Sequence, residues 1–278
     1  MKRTMGIGIL AIMGLASVLA GTTALDAGEA VNQGQVLEGL HFASAVLGRE
    51  VNYAVYLPPD YQISTRRYPV VYLLHGYTDN ESGWIQFGGV TFYINDDLGK
   101  VRFEEMFVQE FIPHIDATYR TRADKQYRGV SGLSMGGWGT LIYAMRHPEL
   151  FSACAAFSAA VWTDDEIVGQ KQEDYDKVYG PLFGPGLAGK DRLTSHLRKY
   201  NPLDLAKTLP EEALKKVDYY IDCGDNDFLI KGNCALHIVL KDRKIPHEFR
   251  VRDGAHTWEY WRTGIADGLK FIDESFRR

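Results

Sequence analysis

Cysteine is scarce in this chain: Cys154, Cys223 and Cys234 are the only three in 278 residues. An odd number cannot all pair, so at least one thiol stays free. Cys154 and Cys223 stand in apolar, strand-like runs, where a buried thiol packs as a small apolar group. Spacing leaves a Cys223–Cys234 bridge open. A basic cluster is also missing, and with a net charge of −5 the chain is a poor partner for nucleic acid. The sequence contains no H-E-x-x-H, P-loop or G-x-G-x-x-G pattern, so neither a metal nor a cofactor is expected. Internal repeats, low-complexity tracts and linkers are absent as well. Residues 28–278 are therefore read as a single α/β domain, of an ordinary length for one.

What is present begins with an unusual N-terminus. Lys2 and Arg3 precede an apolar run from Met5 to Leu19, which ends among the small residues Ala16–Gly21. This is the layout of a secretory signal peptide over residues 1–20, with cleavage after Ala20 or as late as Ala27. An uncleaved anchor is the competing reading, against which the run is short for a membrane span. Cleavage after Ala20 removes two cations and no acid, taking the net charge from −5 to −7. No cysteine follows the cut, and no later stretch is long and apolar enough to cross a bilayer. The expectation is a secreted or periplasmic protein without stable membrane association. No feature of the sequence sets an oligomeric state. Apolar content of 45% with 24% charged residues is typical of a soluble globular chain.

The apolar pattern alternates between strand and helix. Leu37–Ala45 and Glu50–Leu57 flank a Leu47-Gly48 turn and read as a hairpin closed by Pro58-Pro59-Asp60. Tyr68–Leu74 is a continuous apolar run suited to a central parallel strand covered on both faces. Phe103–Tyr119 has helical spacing that Pro113 should kink or restart. Further strands are expected at Gln126–Ser131, Ala153–Phe157, Val217–Cys223 and Glu248–Arg252. Helices are expected at Gly137–Met145, Leu229–Asp242 and Trp258–Phe276. Residues 158–216, rich in Gly, Pro, charge and aromatics, read as a lid-like insertion over the sheet edge. The whole implies an α/β fold, a mostly parallel sheet with helices on both faces.

Chemistry concentrates at Gly132-Leu133-Ser134-Met135-Gly136, a G-x-S-x-G motif with strand before it and helix after it. On such a turn the serine sits on strained backbone with its hydroxyl raised into a cleft. Side chains at Gly132 and Gly136 would collide across so tight a turn. A serine hydroxyl needs an adjacent base, itself oriented by a third group. His256, in the loop after the last strand, can swing over the sheet's carboxyl edge. His147, His196, His237 and His247 suit structural roles better, His196 and His247 in loop-like surroundings. For the acid, Asp222 lies within a strand, leaving Asp225 and Asp227 in the turn that follows, with Asp227 ranked slightly higher. An oxyanion hole needs two fixed donors, here the backbone N–H groups of Met135 and Tyr77.

These residues together resemble the esterase D / feruloyl esterase group of α/β-hydrolases (carbohydrate esterase family 1-type). Acetyl-xylan esterases, S-formylglutathione hydrolases and mycolyltransferases belong to the same group. The likeness covers most of the chain after the leader. It is carried by Leu57-Pro58-Pro59-Asp60-Tyr61, by Tyr72-Leu73-Leu74-His75-Gly76 with Trp84, and by Phe111–Asp116 with Tyr119-Arg120-Thr121. Gly132–Gly137, His147–Phe151, Gly224–Asp227 and Gly254–Trp258 complete it. The final Asp of the acid segment is the family's triad acid, which favours Asp227. The resemblance implies an α/β-hydrolase fold and ester hydrolysis through an acyl-enzyme, without metal or cofactor. Export then points to feruloyl or acetyl groups on plant cell-wall polysaccharide, although a small-molecule ester remains open. Thioester hydrolysis of the S-formylglutathione kind, acyl transfer and non-catalytic carbohydrate binding are the alternatives. Trp84, Trp162 and Trp258 are candidate substrate contacts, and Tyr175, Tyr179 and Phe183 could line a subsite or simply pack the insertion.

One departure stands out. Relatives carry another helix and a central strand between the Trp84 region and the pre-elbow helix, where this chain has only Ile85–Arg102. Either Val90–Asn95 substitutes for that strand or the sheet lacks a central member, which would leave ladder hydrogen bonds unpaired.

Overall fold

The computed structural model describes residues 9–13, 33–77 and 93–278. Among the described residues eight strands form one sheet: β1 (Ile9–Met13), β2 (Gln35–Ser44), β3 (Arg49–Leu57), β4 (Val70–Leu74), β5 (Arg128–Leu133), β6 (Ala153–Phe157), β7 (Asp218–Gly224) and β8 (His247–Arg252). Their order is β2-β3-β1-β4-β5-β6-β7-β8. From β4 to β8 every neighbouring pair is parallel. β2 and β3 form the expected antiparallel hairpin.

Strands β4, β5 and β6 are buried at every position, as continuous apolar runs require when both faces are covered. Successive side chains point to opposite faces, so each strand feeds two cores. Val70, Tyr72 and Leu74 join the larger core with Phe107, Phe111 and Leu141; Val71 and Leu73 join the smaller one with Trp261, Phe271 and Ile272.

The helices are α1 (Phe103–Met106), α2 (Ile112–Thr118), α3 (Met135–Arg146), α4 (Asp164–Gly169), α5 (Gln172–Val178), α6 (Gly180–Phe183), α7 (Ser195–Tyr200), α8 (Pro202–Thr208), α9 (Glu211–Leu214), α10 (Ile230–Asp242) and α11 (Trp258–Phe276). Between α1 and α2 the chain passes through a π-helical stretch over Phe107–Phe111, and Pro113 falls in the first turn of α2 directly after it. The insertion at 158–216 is built from the short helices α4–α9. Local caps start several of them: Thr163 and Glu166 form a capping box for α4, Thr194 caps α7, and Asn201 caps α8 ahead of Pro202.

The sheet differs from expectation in one place. Its slot between β3 and β4 is filled, and the filler is β1, from within the run expected to be a leader. β1 runs parallel to β3 and antiparallel to β4, so both neighbours have a ladder partner there. Of the substitute proposed from sequence, the described part, Tyr93–Asn95, is not strand, and Asn95 makes an isolated bridge to Arg102. Val90–Phe92 and Trp84 lie outside the described residues. Cys154, Cys223 and Cys234 are all free thiols. No described helix is long and apolar enough to cross a membrane.

Candidate active site

Ser134 stands between β5 and α3 with φ 55° and ψ −118°, a left-handed backbone that a serine adopts only under constraint. The constraint is close packing. A Cβ on Gly136 would lie 2.2 Å from the Leu74 carbonyl oxygen, and one on Gly132 would lie 2.5 Å from that of Gly136. Glycine at both positions lets β5 turn into α3 directly against the end of β4. The Ser134 N–H donates to the Phe157 carbonyl at 2.9 Å, and the Ser134 carbonyl accepts from Ala160 N–H at 3.0 Å.

The structure brings Ser134, His256 and Asp227 together. His256 Nε2 is 2.9 Å from Ser134 Oγ, and its Nδ1 lies 2.9 and 3.0 Å from the two oxygens of Asp227. The Leu229 N–H donates to Asp227 Oδ1 at 2.9 Å. Burial pushes the Asp227 carboxyl up, but hydrogen bonds from His256, Ser158 and Leu229 outweigh it and hold the group below its ordinary value. An ionised carboxylate there fixes Nδ1 as the protonated nitrogen and leaves Nε2 to accept from the serine. The His256 ring is held by Phe228 at 4.6 Å between centroids and by the perpendicular Trp261 ring at 4.8 Å.

The other acids are engaged elsewhere. Asp222 pairs with Arg252 at 2.9 and 3.1 Å and with the Tyr260 hydroxyl, which anchors the root of the histidine loop. Asp225 is exposed and accepts from the Gly254 N–H at 3.0 Å, tying the acid turn to the same loop. Four further histidines have structural partners: His147 pairs with Glu104, His196 bonds the Asn95 carbonyl, and His237 and His247 contact each other. His196 and His247 lie within α7 and β8, not in loops. Burial holds the His75 imidazole down to about 4, so it is neutral within the core.

A cavity of about 360 Å³ opens over Ser134, walled by Tyr77, Met135, Trp162, Gln170, Tyr179 and Phe228 among others. Met135 is the first residue of α3, so its N–H has no acceptor inside the helix. A hydroxyl at the cavity, backed by a base and a buried acid, can carry out acyl transfer, and Tyr77 and Met135 line the same cavity. Trp162 crosses Tyr179 and Phe228 at 6.5 and 6.2 Å, forming an aromatic wall. Tyr175 and Phe183 are buried and pack the insertion. Trp258 is not among the residues lining this cavity and packs on Trp261. Ser158, beside Asp227, was not singled out from sequence, since an isolated serine after an apolar run carries no motif. Among the described residues no group of three or more His, Cys, Asp or Glu side chains is placed to hold a metal ion.

Comparison with known proteins gives consistent results. The model of the Esterase family matches residues 44–102 and 93–272. The chain is similar to an endo-1,4-beta-xylanase/feruloyl esterase of Xylanibacter ruminicola, 31% identical over 179 residues, covering 52% of this chain and 24% of that protein. It thus spans about a quarter of that relative's length. An acetyl esterase of Caldicellulosiruptor saccharolyticus is 24% identical over 84% of this chain and 97% of its own. S-formylglutathione hydrolases also match. Among solved structures a ferulic acid esterase superposes with a TM-score of 0.75 at 26% identity, over 88% of this chain and 99% of that one.

Proposed function

The chain belongs to the Esterase family and has the α/β-hydrolase fold, and on that premise we propose that it is a serine esterase hydrolysing carboxylic esters through an acyl-enzyme. The observation that carries this reading is the chain of contacts Ser134 Oγ–His256 Nε2–Asp227, with 2.9 Å at each link. Ser134 Oγ attacks the ester carbonyl while His256 Nε2 takes its proton. Asp227 holds the imidazole in the right tautomer and stabilises its charged form. The N–H groups of Tyr77 and Met135 bind the oxyanion, and His256 then protonates the departing alcohol. Water, deprotonated by His256, attacks the acyl-enzyme and frees Ser134.

For the substrate we propose feruloyl or acetyl esters on plant cell-wall polysaccharide. The Trp162, Tyr179 and Phe228 wall suits a planar aromatic acyl group, and the named relatives include feruloyl and acetyl esterases. An exported enzyme would meet such esters; the composition of the N-terminal run favours export, whereas the place of Ile9–Met13 in the sheet speaks against its removal. Hydrolysis of a glutathione thioester is a second reading, favoured by the S-formylglutathione hydrolase relatives.

The test is labelling with a fluorophosphonate, which phosphonylates an activated serine with loss of fluoride, followed by assay on methyl ferulate, acetylated xylan and S-formylglutathione. Label mapped to Ser134, lost in Ser134→Ala, with methyl ferulate or acetylated xylan turned over fastest, is the expected result. Full esterase activity in Ser134→Ala would overturn the mechanism, and preference for the thioester would overturn the substrate.

A further inference from the structure

Three non-glycine residues among those described have positive φ, and two of them, Ser134 at 55° and Ser158 at 42°, lie on neighbouring strand ends at this site. Ser158 follows directly after β6 and is fully buried. Its neighbours hold the nucleophile from both sides, since Phe157 accepts from Ser134 N–H and Ala160 donates to the Ser134 carbonyl. Ser158 itself donates its N–H to the Asp222 carbonyl at 2.7 Å, which locks the left-handed turn. Strain retained at such a place points to a role for the side chain it aims.

The Ser158 side chain is aimed by Trp261. The indole Nε1–H of Trp261 donates to Ser158 Oγ at 2.9 Å. An indole nitrogen is a donor only, so the serine oxygen must be the acceptor, and its single hydrogen is left to point elsewhere. The hydroxyl also lies beside the Cys223 thiol and the Asp227 carboxylate. A hydroxyl offers two acceptor sites and one donor. With the indole and the weakly donating thiol on the acceptor side, the hydrogen goes to the strongest acceptor, the carboxylate. Trp261 meanwhile packs its ring perpendicular to His256, 4.8 Å between centroids.

We propose that Ser158 is a positioning residue for the Asp227–His256 pair, its hydroxyl oriented by Trp261 Nε1 and donating to the Asp227 carboxylate. This deepens the serine-esterase reading and rests on it. Asp227 then carries donors from three directions: His256, the Leu229 N–H and Ser158. Removing the third lets the carboxylate turn within its pocket, so the imidazole spends less time aligned on Ser134 Oγ.

The test uses the full chain with Ser158→Gly, Trp261→Phe and the double variant, assayed on 4-nitrophenyl acetate. Glycine removes the hydroxyl while tolerating φ 42°, so backbone strain does not confound the result. The expected outcome for Ser158→Gly is a roughly tenfold loss of kcat, the scale of one hydrogen bond to a charged group, with KM within about twofold. Trp261→Phe keeps an aromatic ring against His256 and loses the donor; kcat should fall by a smaller factor. The double variant should be no slower than Ser158→Gly, because both changes act through one hydroxyl. Wild-type kcat in Ser158→Gly, or losses that multiply in the double variant, would overturn the proposal. Trp261→Phe retains the Ser158 side chain and gives an independent reading should Ser158→Gly fold poorly. Ser134→Ala run in parallel separates the failures: residual esterase activity there removes the serine mechanism itself, whereas an inactive Ser134→Ala beside a fully active Ser158→Gly removes only the role of Ser158.

Discussion

Glu104 shows what a single residue does for the frame of the site. The residue is 4% exposed, and its carboxylate accepts from Arg146 at 2.7 and 3.2 Å, His147 at 2.9 Å and the Tyr200 hydroxyl at 2.9 Å. It therefore joins α1, the end of α3, the helix that follows Ser134, and α7 of the insertion. Burial pushes the carboxyl up, but the hydrogen bonds from His147 and Arg146 win and hold it at about 2, against 4.5 for a free side chain. A carboxylate depressed on folding stabilises the fold fully above the unfolded value and loses that contribution as pH falls through the folded one. Glu104→Gln should cost about 3 kcal/mol at pH 7. The gap from wild type should close between pH 4.5 and 2, measured by urea unfolding at several pH values. A gap independent of pH would show that the carboxylate charge contributes nothing. Residues of this kind are hard to read from sequence, because neither Glu104 nor Ser158 sits in a motif. Ser134 and His256 are legible because the elbow and the glycine loop impose backbone geometries that few sequences satisfy. Asp227 and Asp225 differ only in which way the turn points them, which spacing barely separates.

Among the elements, the regular ones follow their patterns closely. β6 and α11 have the ends expected from the sequence, and β4 is buried throughout because its run is apolar throughout. The insertion was legible only as an insertion. Its helices are too short for a 3.6-residue period to emerge, and they are held instead by caps and by anchors such as Trp138 Nε1 donating to the Tyr200 carbonyl at 2.9 Å. What these elements add to the site is the aromatic wall on which Trp162 stands. Trp162→Ala should lower kcat/KM for methyl ferulate about tenfold, the scale of one aromatic pairing, while 4-nitrophenyl acetate, with no acyl ring, should lose less than about twofold. Equal losses on both substrates would mean that Trp162 supports the fold of the insertion and does not contact the acyl group.

At the scale of the whole molecule, the sheet sets one demand and the N-terminal run is offered two roles. β4 ends in the loop bearing Tyr77, so the strand that presents a proposed oxyanion donor is flanked by β1 along its full length, from Ile9 opposite Leu74 to Met13 opposite Val70. A signal-peptide core and a central strand are both short, continuous apolar runs, which is why the sequence pointed to a leader and gave no hint of a strand. The same residues cannot leave at Ala20 and remain between β3 and β4. The structure supports a strand whose loss would unpair one edge of β4 and one edge of β3. At about 1 kcal/mol net per ladder hydrogen bond, removing it should cost on the order of 5 kcal/mol, a large share of a typical domain's stability. Chains beginning at Met1 and at Gly21, both expressed without export, should therefore differ in melting temperature by ten degrees or more. The shorter chain should also label more slowly with fluorophosphonate, because the loop after β4 is less firmly held. Equal melting temperatures and equal labelling would show that β3 and β4 need no strand from this segment. The run would then be free to act as the leader its composition suggests, and the esterase would reach its substrate outside the cell as a sheet of seven strands.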